Sequence, residues 1–315
     1  MELIIRTIDR VAEDIAALEL AAAGGATLPA FGAGAHIDLH LAPGLVRSYS
    51  LLNDPAERHR YVVAVNKDPA SRGGSRHVHE SLRAGQRITV SEPRNHFPLV
   101  EDAPLVALVA GGIGITPLLS MIRRLVALNR PWRLFYSART RAKCAYLAEV
   151  MALAQQSRGM VELHIVDERG GSLPDIAAMV NTVPLDAHLY CCGPVPMLQA
   201  FEQATAWRPA GQVHVEYFSA QQEAAVAGGY EVVLQRSQRS LRIDAGKSIL
   251  DVLLANGVDV PYACQEGVCG ACQTGVLQGT PDHRDSYLSP REKSKGDTIM
   301  LCCSGCTSGT LVLDL

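Results

Sequence analysis

Six of the nine cysteines in this 315-residue chain crowd the stretch from Cys264 to Cys306, and their spacing is its strongest chemical signal. Cys264, Cys269 and Cys272 form a C-x₄-C-x₂-C run, and Cys302 follows downstream to complete a set of four. Four thiolates in that spacing suit two irons bridged by two sulfides, a plant-type [2Fe–2S] centre, whereas zinc sites more often show paired C-x₂-C units. Gly267 and Gly270 fit a loop wrapped round a cluster, because glycine allows close backbone approach and positive φ and leaves amides free to point at sulfur. Cys303 competes with Cys302 for the fourth position, and Cys306 is a spare thiol nearby.

Two glycine turns form a second constellation. Leu105 to Ala110 reads as a strand, and Gly111-Gly112-Ile113-Gly114-Ile115-Thr116-Pro117 after it reads as a turn entering a helix, where a pyrophosphate can approach amides at the positive helix end. The spacing is not the Rossmann dinucleotide fingerprint. Tyr190-Cys191-Cys192-Gly193-Pro194-Val195-Pro196-Met197 is another strand-to-helix turn, at the carboxyl edge of the same expected sheet, where open α/β sheets bind ligands. Nearer the N-terminus, Arg47-Ser48-Tyr49-Ser50 sets a cation, hydroxyls and an aromatic ring on one strand. Arg72-Gly73-Gly74-Ser75 offers amides and a hydroxyl to a phosphate.

Other candidates read as structure. Gly246-Lys247-Ser248 lacks the earlier glycine of a phosphate loop, Leu241 standing there, and is expected to be a turn with Ser248 at a helix N-terminus. Cys144 is expected as core filling on an amphipathic helix, and His77-x-His79 as surface. No His-Glu-x-x-His motif or obvious acid–base pair is present, and no catalytic side chain is assigned.

The elements that must position these residues change character along the chain. From Leu3 to about Val100, short alternating runs such as His36–Leu41, Tyr61–Val65 and Arg87–Val90 predict an antiparallel β-barrel. Beyond Pro104, apolar strands at Leu105–Ala110, Arg133–Ser137, Val161–Val166 and Ala187–Cys191 alternate with helices starting after Thr116, near Cys144 and after Pro196. This pattern predicts a doubly wound parallel sheet. Ser219 to Gly229 reads as a linker. A hairpin (Tyr230–Leu234, Ser240–Ile243), a helix (Ser248–Asn256), the cysteine loop and a last strand (Leu311–Leu315) follow it.

Lys+Arg 29 against Asp+Glu 32, with no long run of one sign, leaves no electrostatic footprint for nucleic acid. The uncharged run Ala103–Ile122 is long enough for a membrane helix, but Gly111, Gly112, Gly114 and Pro117 divide it, so no membrane span is expected. Charges within Met1–Arg6 and an odd cysteine count point to a cytoplasmic chain with metal-bound or free thiols.

The order of motifs, Arg-x-Tyr-Ser, Gly-Gly-Ser, Gly-Gly-x-Gly-x-Thr-Pro, Cys-Gly-Pro and the cysteine set, resembles the phthalate dioxygenase reductase family over essentially the whole chain. That family includes vanillate O-demethylase reductases and lies within the ferredoxin–NADP reductase superfamily. The resemblance implies an FMN-binding β-barrel (1–101), a NAD-binding α/β domain (102–222) and a C-terminal β-grasp ferredoxin domain (223–315). It implies electron transfer from NADH through FMN and a [2Fe–2S] cluster to a separate Rieske-type oxygenase component acting on an aromatic acid such as phthalate or vanillate.

Carried over by position, Arg47, Ser48, Tyr49 and Ser50 would hold the flavin, and Gly73, Gly74 and Ser75 its phosphate. Gly112, Gly114 and Thr116 would face the nicotinamide nucleotide, with Cys192, Gly193 and Pro194 near its ring. Glu216-Tyr217-Phe218 is similar to the family's acidic-x-aromatic motif and would place Phe218 beside the isoalloxazine. Likeness of Tyr230–Leu315 to plant-type ferredoxins selects Cys302 as fourth ligand. Cys191, Cys303 and Cys306 depart from the pattern. The competing expectations are a ferredoxin-like carrier without flavin activity and a reductase for another acceptor, such as a diiron hydroxylase. The Arg139 and Arg141 pair would suit a 2′-phosphate, although the family favours NADH.

Overall fold

The computed structural model describes residues 1–69 and 71–315, and the chain divides into two compact units, Met1–Glu216 and Tyr217–Leu315. The first unit begins with β1 (Glu2–Ala12), β2 (Ile15–Ala21), β3 (His36–Ala42), β4 (Leu45–Ser50), β5 (Tyr61–Asn66), the helix α1 (Gly74–Glu80) and β6 (Arg87–Val90). These strands form one antiparallel sheet in the order β4-β3-β6-β1-β2-β5. Just beyond β4, the Leu52 amide donates to the Val62 carbonyl of β5 at 2.9 Å, which joins the two edges and rolls the sheet into a barrel.

Alternate residues, among them Leu3, Ile5, Leu18, Leu20, Ile37, Leu39, Val63 and Val90, fill the barrel interior. In β3 the alternation fails, for His36 and Asp38 are buried too. The segment at Arg94 covers them, bridging His36 and pairing with Asp38 at 2.6 Å. Helix α1 was invisible in the sequence because its run of Ser, Arg, His and Glu carries Val78 as its single buried apolar anchor.

The same unit continues with β7 (Val106–Gly111), α2 (Ile115–Ala127), β8 (Trp132–Ala138), α3 (Leu147–Gln155), β9 (Gly159–Ile165), α4 (Ile176–Asn181), β10 (His188–Cys192), α5 (Val195–Thr205) and β11 (Val213–Glu216). The five strands are parallel in the order β11-β10-β7-β8-β9. All of β7 is buried, as a strand covered on both faces must be. The uncharged run Ala103–Ile122 thus becomes strand, turn and helix, and among the described residues no helix is long and apolar enough to cross a membrane.

Two helix starts lie earlier than expected, at Ile115 and Val195, because Thr116 and Pro196 sit inside the first turn rather than before it. Cys144 is buried as core filling, but it precedes a helix that begins only at Leu147. One apolar core runs from the barrel into the α/β half, with Ala33, Leu52 and Phe97 in the same cluster as Leu118, Met121 and Tyr190.

In the second unit, Ser219–Gly229 carries no strand or helix. Then come β12 (Tyr230–Leu234), β13 (Arg239–Ile243), α6 (Ile249–Ala255), β14 (Gln273–Gln278), β15 (Pro281–Asp282), α7 (Pro290–Lys295), β16 (Thr298–Met300), β17 (Gly305–Cys306) and β18 (Thr310–Leu313). The mixed sheet β13-β12-β18-β14-β16 carries α6, whose Ile249, Leu250 and Leu253 enter a core shared with Val232, Leu234, Leu311 and Leu313. Ser248 caps α6 in a reciprocal box with Asp251, so the Gly-Lys-Ser stretch is the helix entry expected of it. α4, α7, β14 and β16 are short and weakly patterned, so the sequence predicts none of them.

Candidate cofactor and cluster sites

Strand β4 presents Arg47 and Tyr49 on one face and Ser48 and Ser50 on the other. The Arg47 stem runs over Gly74, where a Cβ would stand only 2.7 Å from Arg47 Cγ, and its guanidinium donates to the Val46 and Arg72 carbonyls at 2.7 and 3.4 Å. Arg47 and Gly73-Gly74-Ser75 are therefore brought together. Gly73, at φ 99°, turns the chain into α1. Burial pushes the Tyr49 hydroxyl up to about 12, partly countered by Arg47, so the phenol stays protonated. Ser48 is committed to structure, donating to Asp38 Oδ1 at 2.7 Å. A ring nitrogen of His79 meets the Val65 carbonyl at 2.9 Å.

The two glycine turns leave the carboxyl ends of β7 and β10, the neighbouring strands at which the order reverses. That crevice is where open α/β sheets bind ligands. A Cβ on Gly114 would lie 2.1 Å from the Cys192 carbonyl oxygen, and one on Gly111 2.5 Å from Pro194 Cδ, so glycine is what lets the turns touch. Gly112, at φ 54°, faces open space. Thr116 is buried, with its hydroxyl donating to the Ile113 carbonyl at 2.9 Å, which makes it first a brace of the turn.

Ser50, Cys192 and Glu216 meet beside this crevice. Cys192 Sγ is 4.0 Å from Glu216 Oε2, and the Ser50 hydroxyl hydrogen-bonds the same carboxyl. Glu216 keeps some exposure as a residue, yet its carboxyl is enclosed by protein atoms. Burial raises it to about 8, with Ser50 pulling the other way. The Cys192 thiol is also driven up, by burial and then by Glu216, so both groups are neutral near pH 7. Sequence reasoning noticed Glu216 only as part of a motif, since its partners are 24 and 166 positions away. Cys191 is fully buried and its thiol is raised by the same desolvation, which leaves it inert. Phe218 lies in the second unit, 38% exposed.

In that unit, the Cys264 thiol lies within hydrogen-bond reach of Cys269 and Cys302, and Cys272 within reach of Cys302. All four are nearly buried. Gly267 and Gly270 take φ 70° and 71°; a Cβ on them would strike Cys303 Sγ and the Tyr287 ring, both at 2.4 Å. The amides of Glu266 and Cys264 point at Cys264 Sγ (3.3 Å) and Cys269 Sγ (3.4 Å). Thiols ringed by backbone donors fit a group that demands thiolate ligands. Shared hydrogen bonds pull Cys264 far below the ordinary thiol range and lower Cys272, and the same bonds drive Cys269 and Cys302 up. Among the described residues no three His, Cys, Asp or Glu side chains form a group that could hold a single metal ion, while the cysteines are linked in a chain, Cys269 to Cys264 to Cys302 to Cys272. Cys303 Sγ stands against Gly267 and within reach of Cys302, and Cys306 Sγ meets Ser308 Oγ at 3.3 Å.

Residues 232–307 match the 2Fe-2S iron-sulfur cluster binding domain family, and residues 108–203 the oxidoreductase NAD-binding domain family. The chain is 51% identical to the phenoxybenzoate dioxygenase subunit beta of Ectopseudomonas oleovorans, over 99% of this chain and 96% of that one. It is 45% identical to the tetrachlorobenzoquinone reductase of Sphingobium chlorophenolicum, over 100% and 98%. Among solved structures, phthalate dioxygenase reductase aligns over 100% of this chain and 98% of its own, with a TM-score of 0.78 and 39% identity. An intact type IV self-sufficient cytochrome P450 monooxygenase aligns with a TM-score of 0.86 and 36% identity, this chain spanning 41% of it.

Proposed function

The chain belongs to the phthalate dioxygenase reductase family, and from that premise we propose that it takes a hydride from NADH onto FMN and delivers single electrons through a [2Fe–2S] cluster to a Rieske-type oxygenase component. The oxygenase substrate in this reading is an aromatic acid. The observation that carries the proposal is the meeting of Ser50, Cys192 and Glu216 at the switch point of a NAD-binding sheet. Bound flavin and cluster would supply the change from two-electron to one-electron chemistry.

The chain's own residues have distinct tasks in this reading. Arg47, with the amides and hydroxyl of Gly73, Gly74 and Ser75, holds the FMN phosphate, and the short length of that turn favours FMN over FAD. Tyr49 supplies an aromatic wall, and Ser50 and Glu216 keep a proton-bearing pair at the ring edge. Gly112 and Gly114 bring backbone to the nucleotide, Thr116 holds that turn, and Cys192, Gly193 and Pro194 shape the nicotinamide pocket. Cys264, Cys269, Cys272 and Cys302 hold the cluster. Arg141 pairs with Glu168 through two 2.9 Å hydrogen bonds, an exposed ion pair that competes with a 2′-phosphate, and Arg139 is exposed beside it; this reading takes NADH as donor from the family's preference. Four cysteines given to a cluster and five more outside any disulfide suit the reducing cytoplasm.

Anaerobic titration with NADH under visible spectroscopy tests the whole reading. Flavin and cluster bands should both bleach with uptake of about three electrons, and heat-released flavin should run as FMN. A cluster spectrum indifferent to NADH, even after flavin is added back, would make the chain a docking carrier instead. Similarity to a tetrachlorobenzoquinone reductase favours one second reading, a quinone acceptor. Electron delivery to a purified quinone but not to Rieske proteins would select it.

A further inference from the structure

The four thiols come from two separate stretches, the Cys264–Cys272 loop and the turn at Cys302, and Asp285 stands between them. A Cβ on Gly267, in the middle of the loop, would lie 3.0 Å from Asp285 Cα and 3.1 Å from its Cβ, and the neighbouring Ser286 amide donates to the Gly267 carbonyl at 3.0 Å. On the other side, Ser304, two positions past Cys302, places Oγ 3.5 Å from Asp285 Oδ1 and accepts the Arg284 amide at 3.1 Å. Asp285 Oδ2 accepts the Tyr287 and Leu288 amides at 3.2 and 2.7 Å. One buried side chain therefore touches both ligand-bearing segments.

Its chemistry exceeds what a tether needs. The Asp285 side chain has 0% exposure, and an asparagine oxygen could accept the same two amides without the cost of burying a charge. What aspartate adds is a fixed negative charge behind the cysteine loop, where weak screening lets it act on a nearby redox centre. The facing groups are Lys293 of α7, whose Nζ donates to the Asp285 carbonyl and stands 3.8 Å from Oδ2, and His283, whose Nδ1 lies 3.5 Å from Oδ1. Lys293 is 28% exposed, so its charge is shared with solvent while the carboxylate's is not.

We propose that Asp285 is a positioning residue for electron transfer: it ties the two ligand segments together, and its charge, offset by Lys293, holds down the reduction potential of the cluster. The proposal rests on the assignment of Cys264, Cys269, Cys272 and Cys302 as ligands. An added electron meets the buried carboxylate, so removing that charge eases reduction and removing the lysine hinders it.

The test is an EPR-monitored redox titration of full-length holoprotein at one fixed pH, with iron content measured alongside. Asp285→Asn should shift the midpoint potential upward, and Lys293→Met should shift it downward. A role in packing alone would move both variants in the same direction or neither. Asp285→Ala, which removes the acceptor as well as the charge, should lower iron content, and wild-type iron in that variant overturns the tether; if Asp285→Asn also loses iron, Lys293→Met carries the charge test. Wild-type iron content with unshifted potentials in both variants, or shifts of the same sign, overturns the proposal. A wild-type chain that takes up no iron–sulfur cluster overturns the ligand assignment beneath it, an outcome told apart because it appears before any substitution.

Discussion

Cys302 and Cys303 are adjacent buried thiols, and their partners separate them. Cys302 reaches Cys264 and Cys272, while Cys303 Sγ stands against Gly267 and within reach of Cys302. Cys302→Ala should abolish the cluster spectrum and lower bound iron, whereas Cys303→Ala should keep both; the opposite result would exchange their roles. Glu216 makes a second residue-scale prediction. Its pKa rises on folding from 4.5 to about 8, so the folded chain binds the extra proton between those values. Its contribution to stability is complete below pH 4.5 and is lost as pH climbs through about 8. Glu216→Gln should flatten that slope in urea midpoints collected across the window. It should also remove any fall in NADH-driven flavin reduction near pH 8. A wild-type profile without the slope would refute a neutral Glu216.

Among elements, the turns after β7 and β10 hold each other. Gly114→Ala drives a methyl into the Cys192 backbone and should cost about 1–3 kcal/mol, because neither turn can recede without moving its strand. The same change at Gly112 meets only open space and a positive φ, a cost of about 1–2 kcal/mol, and should preserve the packing of the turns. Thermal unfolding compared with NADH affinity separates the two, since Gly114→Ala should impair both. Glu168, just beyond β9, holds Arg141, just beyond β8, so Glu168→Gln should release Arg141 and narrow the preference for NADH over NADPH in paired kcat/KM measurements. An unchanged ratio would show that Arg141 never approaches the ribose. The spacing of these turns was legible in the sequence, because glycine after an apolar strand leaves a local trace. Helix α1 was not, since Val78 is its only apolar buried residue.

For the molecule as a whole, the cores decide which pieces can stand alone. The second unit keeps its own core, from Tyr230 to Leu313, so a fragment Tyr217–Leu315 should fold and take up iron. A fragment 1–101 strips Ala33, Leu52 and Phe97 from the cluster they share with Leu118 and Tyr190. It should show a broadened, low-temperature unfolding transition. A cooperative barrel fragment as stable as the parent would contradict this. The sequence by itself determined the chemistry that depends on short spacing: the cysteine loop with its glycines, the strand-turn-helix signatures, and the change from alternating to parallel strands. Only the tertiary structure decided which distant groups meet, namely Ser50 with Glu216, Arg47 with Gly74, and Asp285 with both cysteine segments. Local pattern encodes what an element is, but burial and strand order set which side chains share a low-dielectric pocket, and no spacing along the chain records that.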